Sequence, residues 1–164
     1  MLEAIVPAFL YKKPISSGVF YLLEKKRINI LDISKTSLKN SEVKFIYKNI
    51  TNDYIFYFTN LKDEDYVGSG TGIIVSRSLD AHIFNIMEYK GRIITLDFQF
   101  KGHLKIRIIQ CYLPASSHVI SIQNDYMNEI KRLLDEAKRK NYEIIMMGDL
   151  NNHYDSFLKR KQKG

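Results

Sequence analysis

Leu104 to Pro114 reads LKIRIIQCYLP, and Glu143 to Asn152 reads EIIMMGDLNN. Each is an apolar, β-branched run that stops abruptly in polar, turn-forming residues, which is the pattern of a buried strand ending at a rim. Strand ends that open onto loops are where a rigid scaffold presents chemistry. The two runs release Tyr112 from the first, and Asp149 and Asn151 from the second. Between them, Ile122, Tyr126, Ile130, Leu133, Leu134 and Ala137 fall on one helical stripe, with Asn141 as its stop. Strand, helix and strand with short links make a right-handed crossover unit with parallel strands.

Upstream, the reading is mainly of strands. Arg27–Ile33 (RINILDI) reads as a buried strand stopping at Ser34-Lys35-Thr36, and Tyr54–Thr59 (YIFYFT) as an aromatic one. Thr71–Ser76, His82–Glu88 and Arg92–Phe100 follow, and the Lys101-Gly102 break before Leu104 predicts a hairpin. Ser16 or Ser17 can cap a short helix reaching Lys26, and Val43–Tyr47 is a further apolar run. The fold class is therefore α/β of the α+β type, with mixed, mainly antiparallel sheets and outer helices. Residues 1–16 have no clear period and are expected to be a poorly ordered lead-in. The domain spans 17–155, and 156–164 forms a basic tail.

At 164 residues the chain holds one domain with a real core. With a single cysteine, Cys111, it has no internal disulfide framework, and no run approaches the roughly 18 apolar residues of a membrane span. Glu3 and Pro7 interrupt what a signal peptide needs, so the expectation is an intracellular protein that does not engage a membrane. A net charge of +7 favours polyanionic partners, although a solvated basic tail alone would give the same figure.

Three motifs compete for chemistry. The glycines of Gly68-Ser69-Gly70-Thr71-Gly72 lack the lysine and the following helix that a phosphate cradle needs, and read as a turn entering a strand. His82, His103, His118 and His153 share no metal-ligand spacing, and His153 alone lies near Asp149 and Asn151. In Met146-Met147-Gly148-Asp149-Leu150-Asn151, alternation places a carboxylate and a carboxamide on one side. The carboxylate can take a proton from water and the amide can donate to a phosphate oxygen, whereas the bland alternative is an Asp/Asn turn closing a strand.

Taken in order, RINILDISKT, GTGIIVSRSL, GRIITLDF, RIIQCYLP and IIMMGDLN resemble the endonuclease/exonuclease/phosphatase superfamily with its DNase I-like fold. The spacing is most similar to the reverse-transcriptase-linked endonucleases of retrotransposons. The resemblance implies a partial DNase I-like α/β-sandwich and a hydrolase, a nuclease or phosphodiesterase dependent on Mg²⁺ or Mn²⁺. By position it implies Asp149 for orienting or deprotonating water, Asn151 for bonding the phosphate, and Tyr112 beside the scissile phosphate. It also implies DNA as partner, with His153, Lys159, Arg160 and Lys161 as substrate-binding candidates.

Two departures shape the expectation. Lys35 occupies the position where the resemblance calls for a metal-ligating Glu, so no metal ligand is assigned. The Asp-His pair expected downstream of GDLN is not reached before Gly164, so the domain is expected to be truncated and degenerate. The two functional alternatives are an impaired metal-dependent endonuclease and a non-catalytic mobile-element fragment with weak, salt-sensitive nucleic-acid binding. A phosphatase or lipid phosphoesterase on the same fold is a third. A sheet left partly uncovered is expected to expose apolar surface or an edge near Ile106–Ile109 or Ile144–Met146.

Overall fold

The computed structural model describes residues 5–9, 23, 25–36, 53–59, 70–114 and 120–151. In chain order the strands are β1 (Ile5–Phe9), β2 (Ile30–Ser34), β3 (Tyr54–Phe58), β4 (Thr71–Ser76), β5 (Ile83–Tyr89), β6 (Ile93–Gln99), β7 (Lys105–Tyr112) and β8 (Glu143–Asp149). A single turn, α1 (Arg77–Asp80), follows β4, and α2 (Ile120–Arg139) connects β7 to β8. The described strands form two four-stranded sheets, ordered β1-β2-β4-β3 and β5-β6-β7-β8.

The crossover and the hairpin are where the sequence puts them. β6 and β7 pair antiparallel across a turn at Lys101–His103, where Gly102 takes φ +77°. β7 and β8 pair parallel, as a helical crossover requires. Asn141 stops α2 in the left-handed region at φ +58°, and the Tyr142 N–H reaches back to the Ala137 carbonyl (2.9 Å). Tyr126, Ile130, Leu133 and Ala137 form the helix's buried stripe.

The unperiodic lead-in is corrected over Ile5–Phe9, which forms β1 and pairs parallel with β2. Pro7 in the middle of it is compatible with an edge position, where one side of the strand needs no ladder donor. Val43–Tyr47, His118, His153 and the basic tail, with Lys159, Arg160 and Lys161, lie outside the described residues, as does most of the Ser16–Lys26 helix.

The sheets pack face to face. Ile30, Ile73 and Val75 from the first meet Ile94, Leu96, Phe98, Ile106 and Ile108 from the second. On the outer face of the second sheet, Ile93, Ile109 and Cys111 pack under Tyr126, Ile130 and Leu133 of α2. Residues 106, 108 and 110 of β7 therefore face the first sheet, and 107, 109 and 111 face the helix. Of the two places where an exposed apolar face or edge is expected, Ile106–Ile109 are buried on both faces. β8 is the edge strand of its sheet among the described residues, and Met146 on it is 43% exposed.

Candidate active-site rim

The apolar layer between the sheets turns polar toward one end, and it does so in several strands at once. Along β2, Ile30 gives way to Asp32 and Ser34; along β4, Val75 and Ile73 give way to Thr71; along β7, Ile106 and Ile108 give way to Gln110 and Tyr112. Asp32, Ser34, Thr59, Thr71 and Gln110 are each at most 2% exposed. Polar groups enter a core only when they are bonded or used, since burying one unpaired costs about 1–3 kcal/mol.

Most of this layer is bonded across the gap between sheets. Gln110 Nε2 donates to Thr71 Oγ1 (2.5 Å) and Ser34 Oγ (3.0 Å), with the Ile33 carbonyl at 3.4 Å. Thr71 Oγ1 donates to that same Ile33 carbonyl (2.9 Å). Thr59 Oγ1 accepts from the Thr71 N–H (3.1 Å), and the Gly70 N–H donates to the Gly91 carbonyl (2.8 Å). One carboxamide thus ties the end of β2 to the start of β4 and to β7. Gln110 Oε1 is buried without a hydrogen-bond partner among the described residues.

Beyond this clamp, three residues form a row across the second sheet. The Tyr112 N–H donates to the Arg92 carbonyl (2.8 Å), and Tyr112 is the register partner of Asp149. Neighbouring strands run about 4.8 Å apart, so the tyrosine stands one strand from each. Gly148 makes the approach of β8 possible. It takes φ +116°, and a Cβ there would overlap the Cys111 carbonyl and the Gln110 amide oxygen.

Asp149 and Asn151 come together, but not through strand alternation. β8 ends at Asp149, and the Asn151 N–H donates to Asp149 Oδ1 (2.8 Å) in an Asx turn with Asn151 at φ +47°. Asn151 Nδ2 donates to the Leu113 carbonyl (2.5 Å), and the Leu113 N–H donates to the Asp149 carbonyl (2.8 Å). The turn therefore closes the strand and positions both side chains. One amide hydrogen of Asn151 fixes its orientation, and the second is available to a ligand.

Tyr112, Asp149 and Asn151 are the sequence candidates that the structure brings to this rim, all of them half-buried. Lys35 is there too, at the end of β2, with φ +59°. Its neighbour Thr36 donates to the Gly70 carbonyl (3.0 Å). Gln110, Thr71, Ser34, Asp32 and Arg92 escaped the sequence reading. Their signal was a polar residue at the core-facing parity of an otherwise apolar strand, visible only once the register is known. Cys111 is no nucleophile here: burial pushes its thiol up to about 12, and the carboxylates of Asp32 and Asp149 add to the effect.

A dication does not fit the described residues. No three of His, Cys, Asp or Glu converge among them, and the end of β2 carries a cation, Lys35, in place of the oxygen donors that a hard dication takes.

No protein-family model matches the chain, and no curated protein matches it. Solved structures do match. Truncated Caenorhabditis elegans TDP2 superposes with a TM-score of 0.61 at 15% identity, covering 84% of this chain and 55% of that one. D. rerio TDP2 complexed with single-strand DNA product gives 0.62 at 14%, covering 94% and 63%. The Xenopus laevis APE2 catalytic domain gives 0.61 at 15%, covering 90% and 58%. The chain spans little more than half the length of these three. All three belong to the endonuclease/exonuclease/phosphatase superfamily, and the architecture shared with them is the DNase I-like α/β sandwich, of which this chain has a part.

Proposed function

We propose that the chain carries an impaired nucleic-acid phosphodiesterase site, in which groups suited to handling water and phosphate come together while no metal-holding cluster forms among the described residues. The observation that carries this reading is the convergence of Tyr112, Asp149 and Asn151 at the rim where the inter-sheet layer turns polar. Asp149 Oδ1 is occupied by the Asn151 N–H, which aims the carboxylate and leaves Oδ2 for a water molecule. As the water oxygen bonds to phosphorus, its proton passes to Asp149. The bond to the leaving oxygen breaks, and solvent protonates that oxygen. The second amide hydrogen of Asn151 and the Tyr112 hydroxyl donate to the non-bridging oxygens as their charge grows. In this reading the retrotransposon-type endonucleases are the nearest functional analogues, the partner is DNA, and the setting is intracellular.

Lys35 favours a second reading, in which the rim binds nucleic acid without cleaving it. A labelled single-stranded oligonucleotide separates the two. Slow hydrolysis that Asp149→Asn reduces by about 10²-fold or more supports the first. Retention on the protein with no cleavage by the wild type supports the second and sinks the first.

A further inference from the structure

Two arginines are buried in the second sheet, and they are treated in opposite ways. Arg107, 1% exposed, is fully compensated: Asp97 takes Nε and Nη2 at 2.6 and 2.7 Å, and the Leu133 carbonyl takes Nη1 at 3.1 Å. Arg92, 3% exposed, has no carboxylate partner among the described residues. Its Nη1 donates to the Tyr112 carbonyl at 3.3 Å, its guanidinium lies 5.0 Å from the Tyr112 ring centroid, and its Nε is buried with no partner.

A buried arginine cannot shed its charge by losing a proton, as a lysine can. A carbonyl dipole and an aromatic face offset only part of the cost of removing that charge from water. The residue sits in the Arg92–Tyr112–Asp149 row, at the rim and away from the packed centre. A planar fork with a free Nε edge is the geometry that grips two oxygens of a phosphate or carboxylate.

We propose that Arg92 is the anion-holding residue of this rim, binding a phosphate group through its unpaired Nε edge while Tyr112 stands between it and Asp149. The proposal rests on the phosphodiesterase reading for the chemical class of the anion, and it adds a residue which that reading does not use. A fixed guanidinium supplies positive charge to hold a phosphate at a rim where the described residues form no metal-ligand cluster. The phosphate can belong to an internal diester or to a terminal monoester, and the two differ in charge and in free oxygens.

The test is binding, not turnover. Inorganic phosphate and dimethyl phosphate are titrated separately into the full chain at ionic strength held constant with sodium chloride. Melting temperature and two-dimensional amide NMR are the readouts. Wild type is expected to be stabilised with saturation by at least one of them. Saturation with dimethyl phosphate indicates a diester site, and saturation with inorganic phosphate alone indicates a terminal one. Arg92→Met is expected to bind about tenfold or more weakly, and to melt without ligand at or above the wild-type temperature because an uncompensated charge has gone. Arg92→Lys keeps the charge, loses the fork, and is expected to bind several-fold more weakly.

No saturable effect in wild type overturns the proposal. So does wild-type affinity in folded Arg92→Lys, or an Arg92→Met protein that melts far lower yet binds unchanged. Saturable, Arg92-dependent binding without any hydrolysis leaves this anion site standing and removes the phosphodiesterase reading. Asp149-dependent hydrolysis with no Arg92-dependent binding does the reverse.

Discussion

Arg107 and Asp97 stand directly opposite each other on β7 and β6 and close a bidentate ion pair at 2.6 and 2.7 Å, both about 1% exposed. The pair lies between the sheet and α2. Asn85 donates to the same carboxylate (3.0 Å), and Glu136 approaches Arg107 at 3.4 Å. Replacing it by apolar side chains of matching volume could be neutral, but breaking it strands a charge. Asp97→Asn is therefore expected to lower stability by about 3–5 kcal/mol, read as a fall in the urea midpoint with an unchanged slope. A loss below about 1 kcal/mol would mean that Glu136 and the Leu133 carbonyl suffice for Arg107.

Gly148 is the residue that lets β8 deliver Asp149 to the rim. Gly148→Ala meets two obstacles, the left-handed φ of +116° and overlap of its Cβ with the Cys111 backbone. The expected outcome is a loss of several kcal/mol, or displacement of β8 from β7. Hydrogen exchange at the Leu113 amide, which bonds to the Asp149 carbonyl, reports the displacement directly.

Cys111 gives stability a pH dependence on the alkaline side. Burial chiefly raises its folded pKa to about 12 from the ordinary 9.0, so between these values the unfolded chain has lost the thiol proton and the folded chain retains it. Stability is then complete below pH 9 and declines as pH rises toward 12, at up to about 1.4 kcal/mol per unit. Urea melts between pH 8.5 and 10.5 should show this slope in wild type and lose it in Cys111→Ala. At pH 8 the native thiol should react with a disulfide reagent only as fast as the fold opens.

Lys35 stands at the end of β2, and no three of His, Cys, Asp or Glu converge among the described residues. Lys35→Glu places a carboxylate there at no new backbone cost, since lysine already occupies φ +59°. The variant is expected to gain a Mg²⁺- or Mn²⁺-dependent rise in melting temperature that the wild type lacks. Equal responses in both proteins would show that Lys35 is not what excludes the metal.

Much of this was readable in the chain, and the rest was hidden for physical reasons. β4 spans Thr71–Ser76 as its composition indicates, and the β6–β7 hairpin and the β7–α2–β8 crossover follow from turn residues and a helical stripe. That Tyr112, Asp149 and Asn151 share one end of the sheet was legible because two apolar runs stop there. β1 was not, because a short parallel edge strand carrying Pro7 has neither alternation nor a continuous β-branched core. The clamp of Gln110, Thr71 and Ser34, and the contrast between Arg92 and Arg107, were also out of reach. Each depends on which strands face each other, and nearly forty residues separate Gln110 from Thr71. The Asp149–Asn151 relation was anticipated, but a turn makes it and not alternation.

In the proposed mechanism Asp149 directs water at a phosphodiester on this partial fold. Nicking of supercoiled plasmid by the wild type and by Asp149→Asn, both shown to be folded by circular dichroism, tests it most directly. Slow nicking by the wild type is expected, falling by about 10²-fold or more in the variant. Equal rates for the two folded proteins would contradict it and leave the rim as a binding surface.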